Sequence, residues 1–256
     1  MPVAVITGAA QGIGRRTAEV LAERGYDLAF LDVQSTADTA ARVRGRGGDV
    51  LEFVGDVAGE KAVAEFAAAV KARWGEVDVV VNNAGISLIS PAEQTSAADF
   101  RRVIEINLVG PFLVAQAFGK MMLAKGSGSI VNVASIAGLL GFGDRAAYNA
   151  SKHGLVGLTR TLAAEWGGRG VRCNAVCPGW VKTAMDEADQ ARGTYTDADI
   201  TGRVPMGRFA TPDDVAKAIA FLADPEQSGF VNGHTMVVDG GWTADASWQG
   251  LRMSKR

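Results

Sequence analysis

Val3-Ala4-Val5-Ile6-Thr7-Gly8-Ala9-Ala10-Gln11-Gly12-Ile13-Gly14, VAVITGAAQGIG, runs a β-branched apolar stretch into a glycine-rich loop, and helical spacing begins at residue 13. The apolar residues follow one another without polar alternation, as in a strand buried on both faces. Glycines at 8, 12 and 14 let backbone amides approach a phosphate closely, and the helix start adds its partial positive charge to them. The spacing is neither G-x-G-x-x-G nor G-x-x-x-x-G-K-[ST]. Taken alone the loop also reads as an ordinary strand-to-helix turn; its place after the first strand of an α/β alternation favours phosphate binding.

Working outward, the same alternation fills the chain. Apolar runs rich in valine and isoleucine recur at 3–7, 27–32, 50–56, 77–82, 129–135, 171–177 and 234–239, and helical spacing occupies 13–24, 36–44, 60–74, 96–124, 147–166 and 212–223. Strands buried on both faces with helical crossovers between them predict a doubly wound, seven-stranded parallel sheet of Rossmann type, α/β in class, in a single domain. Two places break the rhythm. Gly110-Pro111 interrupts the fourth helical segment, where the proline removes a hydrogen bond from the carbonyl of Asn107. The stretch at about 184–211 is polar and too long for a plain connection, and reads as a substrate flap with some helix of its own.

Composition narrows the function. The chain has 256 residues, 48% hydrophobic, enough for one full core, and its 26 basic and 28 acidic residues are interspersed, which argues against nucleic acid and anionic membrane as partners. The N-terminus lacks a signal-type charge and apolar pattern, and uninterrupted apolar runs such as 108–115 stop short of ~18 residues. A cytoplasmic protein is expected. Cys173 and Cys177 lie on one predicted strand, separated by roughly 13 Å, beyond the ~7 Å reach of a disulfide, and with two isolated histidines they make no metal spacing. Free thiols and no metal are the expectation.

Asp32 ends the second predicted strand, eighteen residues after Gly14. A carboxylate near the ~20-residue spacing can accept from both adenosine ribose hydroxyls, whereas a 2′-phosphate would meet like charge. That favours NAD over NADP. Gln11 and Val33, where a base would favour NADP, are uncharged, while Arg15 and Arg16 stand nearby and argue the other way.

Taken together, TGAAQGIG at 7–14, NNAG at 82–85, Ser135, YNASK at 148–152 and PGWVKT at 178–183 resemble, in order and over nearly the whole chain, the short-chain dehydrogenase/reductase family in its classical form. The resemblance implies Asn107, Ser135, Tyr148 and Lys152 as the catalytic set. For the cofactor it implies Gly8, Gln11, Gly12, Ile13 and Gly14 at the phosphates, Asp32 and Val33 at the ribose, Asp56 and Val57 beside the adenine, and Asn83, Ala84 and Gly85 beside the adenosine. Pro178, Gly179, Val181 and Thr183 fall at the nicotinamide end, with Tyr148 and Lys152 touching both cofactor and substrate. Family members are usually tetramers or dimers, so a homo-oligomer is implied, and the two tryptophans of the tail 242–256 are a plausible subunit contact.

Physical chemistry gives this set a reaction. Oxidising an alcohol by hydride transfer requires a base within hydrogen-bond reach of its hydroxyl. Tyr148 and Lys152, four apart on a helix, share a face. A cation ~4 Å from the phenolate at an effective dielectric of ~20 contributes about 4 kcal/mol, roughly three pKa units, which would bring the tyrosine near neutrality. Ser135 at a strand end can bond the substrate oxygen, and by the resemblance Asn107 holds a water in a proton relay through Lys152. Trp180 reads as either pocket wall or packing residue, and His153, turned about 100° from Lys152, as structural.

The expectation is therefore an NAD-dependent oxidoreductase of a secondary alcohol and its ketone, with a small polyol or sugar-like alcohol as substrate. That choice rests on the acidic balance of the flap, in which Asp186, Glu187, Asp189, Asp197 and Asp199 face Arg192 and Arg203. Its alternatives are an NADPH-dependent 3-oxoacyl thioester reductase and a catalytically silent dinucleotide sensor, the latter expected to have lost the tyrosine or lysine that are both present.

Overall fold

The computed structural model of the chain describes residues 1–191 and 195–247. Its strands are β1 (Val3–Thr7), β2 (Asp27–Asp32), β3 (Val50–Val54), β4 (Val79–Asn82), β5 (Gly128–Val133), β6 (Val171–Pro178) and β7 (Thr235–Val238). They form one sheet in the order β3-β2-β1-β4-β5-β6-β7, every pair parallel. The fold is the doubly wound Rossmann-type sheet that the alternation predicts. Several strands are a residue or two shorter than their apolar runs, because the ladder ends where the chain turns into loops above the sheet.

Successive strand residues face opposite ways, and each face has its own core. Ala4, Ile6, Leu28, Phe30, Val79 and Val81 pack under α1 (Gly12–Glu23), α2 (Ala37–Arg44) and α9 (Pro212–Ala223). Val3, Val5, Ala29, Leu31 and Val80 pack under α3 (Glu60–Trp74), α5 (Gly110–Lys125) and α6 (Ala146–Trp166). Burial on both sides explains why the strands carry no polar alternation. The order reverses between β1 and β4, which opens a crevice at the carboxyl ends of the strands, the place where sheets of this kind bind ligands.

The fourth helical segment is two helices in line. α4 (Ala97–Ile104) passes through a wide π turn, Glu105–Val109, into α5, and the break falls where Gly110-Pro111 predicted it. Its mechanism differs from a simple proline kink: Gly110 N–H reaches back five residues to the carbonyl of Glu105. The whole rod, 97–125, is long and apolar enough by composition to cross a membrane. Val114, Phe118 and Met122 lie in the core, so its apolar face is that of an internal helix.

The segment 184–211 contains α7 (Ala184–Gln190) and α8 (Asp197–Thr201), the latter opened by a Thr196–Asp199 capping box. Its acidic residues divide between the interior and the surface, Glu187, Asp197 and Asp199 being exposed. Asp186 and Asp189 are buried, Asp197 pairs with Lys182, Asp199 caps α8 and Arg203 pairs with Asp245. Arg192 lies outside the described residues, as do Trp248 and the rest of the tail. α10 (Pro225–Ser228) is a further short turn. Cys173 and Cys177 are buried free thiols on β6.

Candidate active site

The loop between β1 and α1 is shaped by its glycines. Gly8 and Gly12 adopt φ of +69° and +57°, which favour glycine. Gly14 is packed tightly against the loop, where an added Cβ would sit 2.0 Å from the carbonyl oxygen of Gly8. Asn83 braces the loop from β4, its Nδ2 donating to the carbonyls of Thr7 (3.1 Å) and Gly8 (2.8 Å). No side chain caps the start of α1, so its first-turn amides are free to donate to a pyrophosphate. Gly14→Ala is expected to cost at least 1–3 kcal/mol, about the overpacking range, seen as a lowered thermal midpoint together with weakened dinucleotide binding; an unchanged midpoint would show that the loop yields.

Asp32 stands at the end of β2 with each carboxylate oxygen accepting one backbone N–H, Oδ2 from Ala10 and Oδ1 from Gln34, both at 2.9 Å. A carboxylate has about four acceptor positions, so two remain. The neighbouring arginines are engaged elsewhere. Arg15 Nε donates to the Ala10 carbonyl and to Thr39, and Arg16 is bound to Glu19 and Asp213. Neither lines the crevice, and Val33, 62% exposed, offers no charge.

At the other end, Ser135 follows β5 by two residues in extended backbone and opens a short 3-10 turn, Ile136–Gly138, its Oγ accepting from Ala137 N at 3.1 Å. That turn packs on α6 so closely that a Cβ at Gly138 would lie 2.7 Å from the Lys152 carbonyl. α6 thereby holds Tyr148 close enough to Ser135 for the serine hydroxyl to favour the phenolate. Lys152 is buried on the same helical face, with Nζ donating to the Val133 carbonyl at 2.9 Å and lying 5.6 Å from the centre of the Tyr148 ring.

The electrostatics differ from the expectation. Loss of water around the Tyr148 hydroxyl is the largest influence and pushes it above its ordinary range, although Ser135 and Arg145 pull the other way. Burial also lowers Lys152 to about 8. Burial of the phenol outweighs any pull from the lysine, whose Nζ donates to the Val133 carbonyl.

Asn107, in the π turn, is completely buried behind the crevice. Its Oδ1 accepts from Ile86 N and its Nδ2 donates to the Ile86 carbonyl, both at 2.9 Å, and to Ser151 at 3.2 Å. Both Nδ2 hydrogens are thus used and Oδ1 accepts one bond, while the backbone carbonyl, denied an N–H by Pro111, suits a bound water. Over Gly85 it converges with Lys152: a Cβ there would lie 3.2 Å from Asn107 Oδ1 and 3.6 Å from Lys152 Nζ.

One cavity of about 390 Å³ joins these parts, running from Asp32, Asp56 and Val57 past Gly8, Gln11, Gly12 and Ile13 and along Asn83, Ala84 and Gly85 to Ser135, Tyr148 and Lys152, with Pro178, Gly179, Val181 and Thr183 on the facing wall. Gly14 and Asn107 stand behind it. Trp180 both lines the cavity and packs against Phe142, Tyr195 and Trp242, with ring centres 4.8–6.4 Å apart. His153 is exposed and turned away, Nδ1 beside the Asn149 carbonyl. Sequence reasoning missed Arg102, Phe142, Arg145 and Tyr195 as lining residues. Arg145 alone left a signal, its position at the start of the helix three residues before Tyr148.

A Rossmann-type sheet whose crevice combines an uncapped helix start, a glycine loop and a Ser-Tyr-Lys cluster defines a dinucleotide-binding oxidoreductase. A family model described as enoyl-(acyl carrier protein) reductase matches residues 8–243. D-threitol dehydrogenase of Mycolicibacterium smegmatis is 43% identical over 245 residues, covering 94% of this chain and 92% of that protein. Levodione reductase has a solved structure with TM-score 0.91 and 36% identity, covering 95% and 98% of the two chains. A structure described as a putative NAD(P)-dependent gluconate 5-dehydrogenase of Beutenbergia cavernae, with bound NADP at low occupancy, has TM-score 0.89 and 42% identity, covering 95% and 97%. The chain belongs to the short-chain dehydrogenase/reductase family. It is an oxidoreductase of CH–OH groups that uses a nicotinamide dinucleotide, NAD(P).

Proposed function

We propose that the enzyme interconverts a secondary hydroxyl of a small neutral polyol or sugar-like alcohol with the ketone, using NAD(H). The observation that carries this reading is the continuity of the one cavity from Asp32 to Tyr148. Amides of the loop at 8–13 and the start of α1 would hold the pyrophosphate, Asp32 the adenosine ribose, and Asp56 and Val57 the adenine. Lys152 would hold the nicotinamide ribose, with Pro178, Gly179, Val181 and Thr183 around the ring. When bound, NAD supplies the hydride acceptor. Ser135 orients the substrate oxygen, and Tyr148 exchanges its proton: the phenol donates in ketone reduction, and the phenolate accepts in alcohol oxidation. Lys152 passes that proton towards a water that the carbonyl of Asn107 would hold, and α7 covers the substrate end of the cavity.

NAD rather than NADP follows from Asp32 and from the absence of a basic side chain beside it among the described lining residues. NADH is expected to bind about tenfold or more tightly than NADPH, at least 1.4 kcal/mol, by fluorescence titration, and Asp32→Ala to shift the ratio towards NADPH by a similar factor. Equal or tighter NADPH binding by the wild type would favour the 3-oxoacyl thioester reductase instead. We further place the protein in the cytoplasm as a homo-oligomer, tetramer or dimer: Phe112 on α5 is 41% exposed and Phe230 wholly so, two separate apolar positions that a second copy could cover.

Threitol is a neutral polyol and gluconate an anion, so relatives of equal similarity differ in the charge of their substrate. The substrate wall of the cavity has to decide between them.

A further inference from the structure

We propose that Asp189, clamped by Arg145 and Ser87, reads a second hydroxyl beside the reacting one and so makes the enzyme specific for neutral vicinal polyols over hydroxy acids and simple alcohols. The inference rests on the alcohol-oxidoreductase reading of the same cavity.

Asp189 comes from α7 and is 8% exposed, yet it lines the cavity together with Arg145 and Tyr148. Its Oδ2 accepts from Ser87 Oγ at 3.0 Å and from Arg145 Nη1 at 3.1 Å, while Arg145 Nη1 also donates to Ser87 Oγ at 2.9 Å. The triangle fixes the carboxylate through one oxygen. Oδ1 has no protein partner among the described residues, and it remains accessible on a residue that lines the cavity, an acceptor position open to a donor from the substrate. A hydroxyl is the neutral group that supplies one.

The clamp is itself held firmly. Asp144, just before Arg145, is the one non-glycine residue of positive φ, +58°, among the described residues. The backbone there is locked by a bridge between Ser90 and Arg145 and by a 2.8 Å bond from Ser90 N to the Asp144 carbonyl. The Arg145 guanidinium lies 5.7 Å from the Trp180 ring centre. Left-handed backbone at a non-glycine residue persists where surrounding contacts impose it, and such residues gather at ligand sites.

The same wall is unsuited to an anion. The charge of Arg145 is matched by Asp189, and that of Lys182 by Asp186 at 3.3 Å and Asp197 at 2.7 Å. Around α7, among the described residues, a substrate carboxylate would meet Asp186 and Asp189, and the nearby cations Arg145 and Lys182 are already paired. Arg145 and Asp189 both act on the ionisation of the Tyr148 hydroxyl, in opposite senses, so both lie within electrostatic reach of the reacting oxygen.

The test measures kcat/KM with NAD for a tetritol, butan-2-ol and 3-hydroxybutanoate, in the wild type and in Asp189→Asn, with NADH binding and thermal midpoint checking that the variant is folded. The wild type is expected to prefer the tetritol to both others by about tenfold or more. In Asp189→Asn, where Arg145 loses its counter-charge, the tetritol-to-hydroxybutanoate ratio is expected to fall by about tenfold or more. A smaller fall, or a wild type without the tetritol preference that still oxidises butan-2-ol, overturns the subsite while the alcohol-oxidoreductase reading stands. Binding of NADH without turnover of any secondary alcohol overturns both. If the variant does not fold, the wild-type preference decides alone.

Discussion

Tyr148→Phe is expected to lower alcohol oxidation by about 10³-fold, within the range for losing a positioned acid/base, while NADH binding stays within about tenfold, 1.4 kcal/mol. Phenylalanine keeps the ring that lies 5.6 Å from Lys152 Nζ and deletes only the oxygen that exchanges the proton. A pH signature accompanies the loss. Burial holds the Tyr148 phenol above its ordinary range, so the phenolate that oxidation needs is scarce at neutral pH and grows as pH rises. Wild-type oxidation should therefore climb across the alkaline range while ketone reduction holds until the phenol itself ionises, and the residual turnover of the variant should lack the climb. Comparable activity in the variant would refute the role given to Tyr148.

Lys152→Met should abolish useful turnover and at the same time make the folded protein more stable near pH 7. Burial lowers the lysine from 10.5 to about 8, so the unfolded chain binds more protons than the folded one between those values, and stability from this group rises with pH across that window. Below pH 8 the folded protein carries the full cost of the buried charge, about 3 kcal/mol at ~1.4 kcal/mol per pKa unit. Methionine removes that cost and loses the bond to the Val133 carbonyl, worth about 1 kcal/mol. The net gain of about 2 kcal/mol corresponds to a thermal midpoint raised by roughly 4–8 °C for a domain of this size. The gain should vanish by about pH 10.5, where the unfolded lysine also loses its proton. A variant less stable than the wild type at pH 7 would show that the lysine does not sit as a strained buried cation.

Much of this was legible before any coordinates. Uninterrupted valine- and isoleucine-rich runs spaced by helical segments leave little but a parallel sheet, and Gly8, Gly12, Asp32, Ser135 and Tyr148 all fall at carboxyl ends of strands or on the helix packed beside them. What escaped depends on contacts between distant segments. Asp186 and Asp189 look in sequence like members of a solvated acidic stretch, and only the fold of α7 over the cavity turns them inward. Gly14 matches a phosphate-loop glycine by spacing, but its close approach to Gly8, a second reason for glycine there, shows only in the fold. The i,i+4 relation of Tyr148 and Lys152 gave the shared face but not the depth of burial, and burial reverses the sign of the tyrosine's displacement.

The π turn at Glu105–Val109 has a consequence for alignment along the rod 97–125. Val103, Asn107, Pro111, Ala115 and Gly119 all face inward at intervals of four residues. At about 100° per residue a regular α-helix would carry such a series round by about 40° at each repeat, swinging one end of the row into solvent. The single slack turn works as a phase adjuster, letting one row stay seated along the sheet. Removing one residue there would put the two halves out of step, so that either Asn107 or the Phe118 layer would lose its seat.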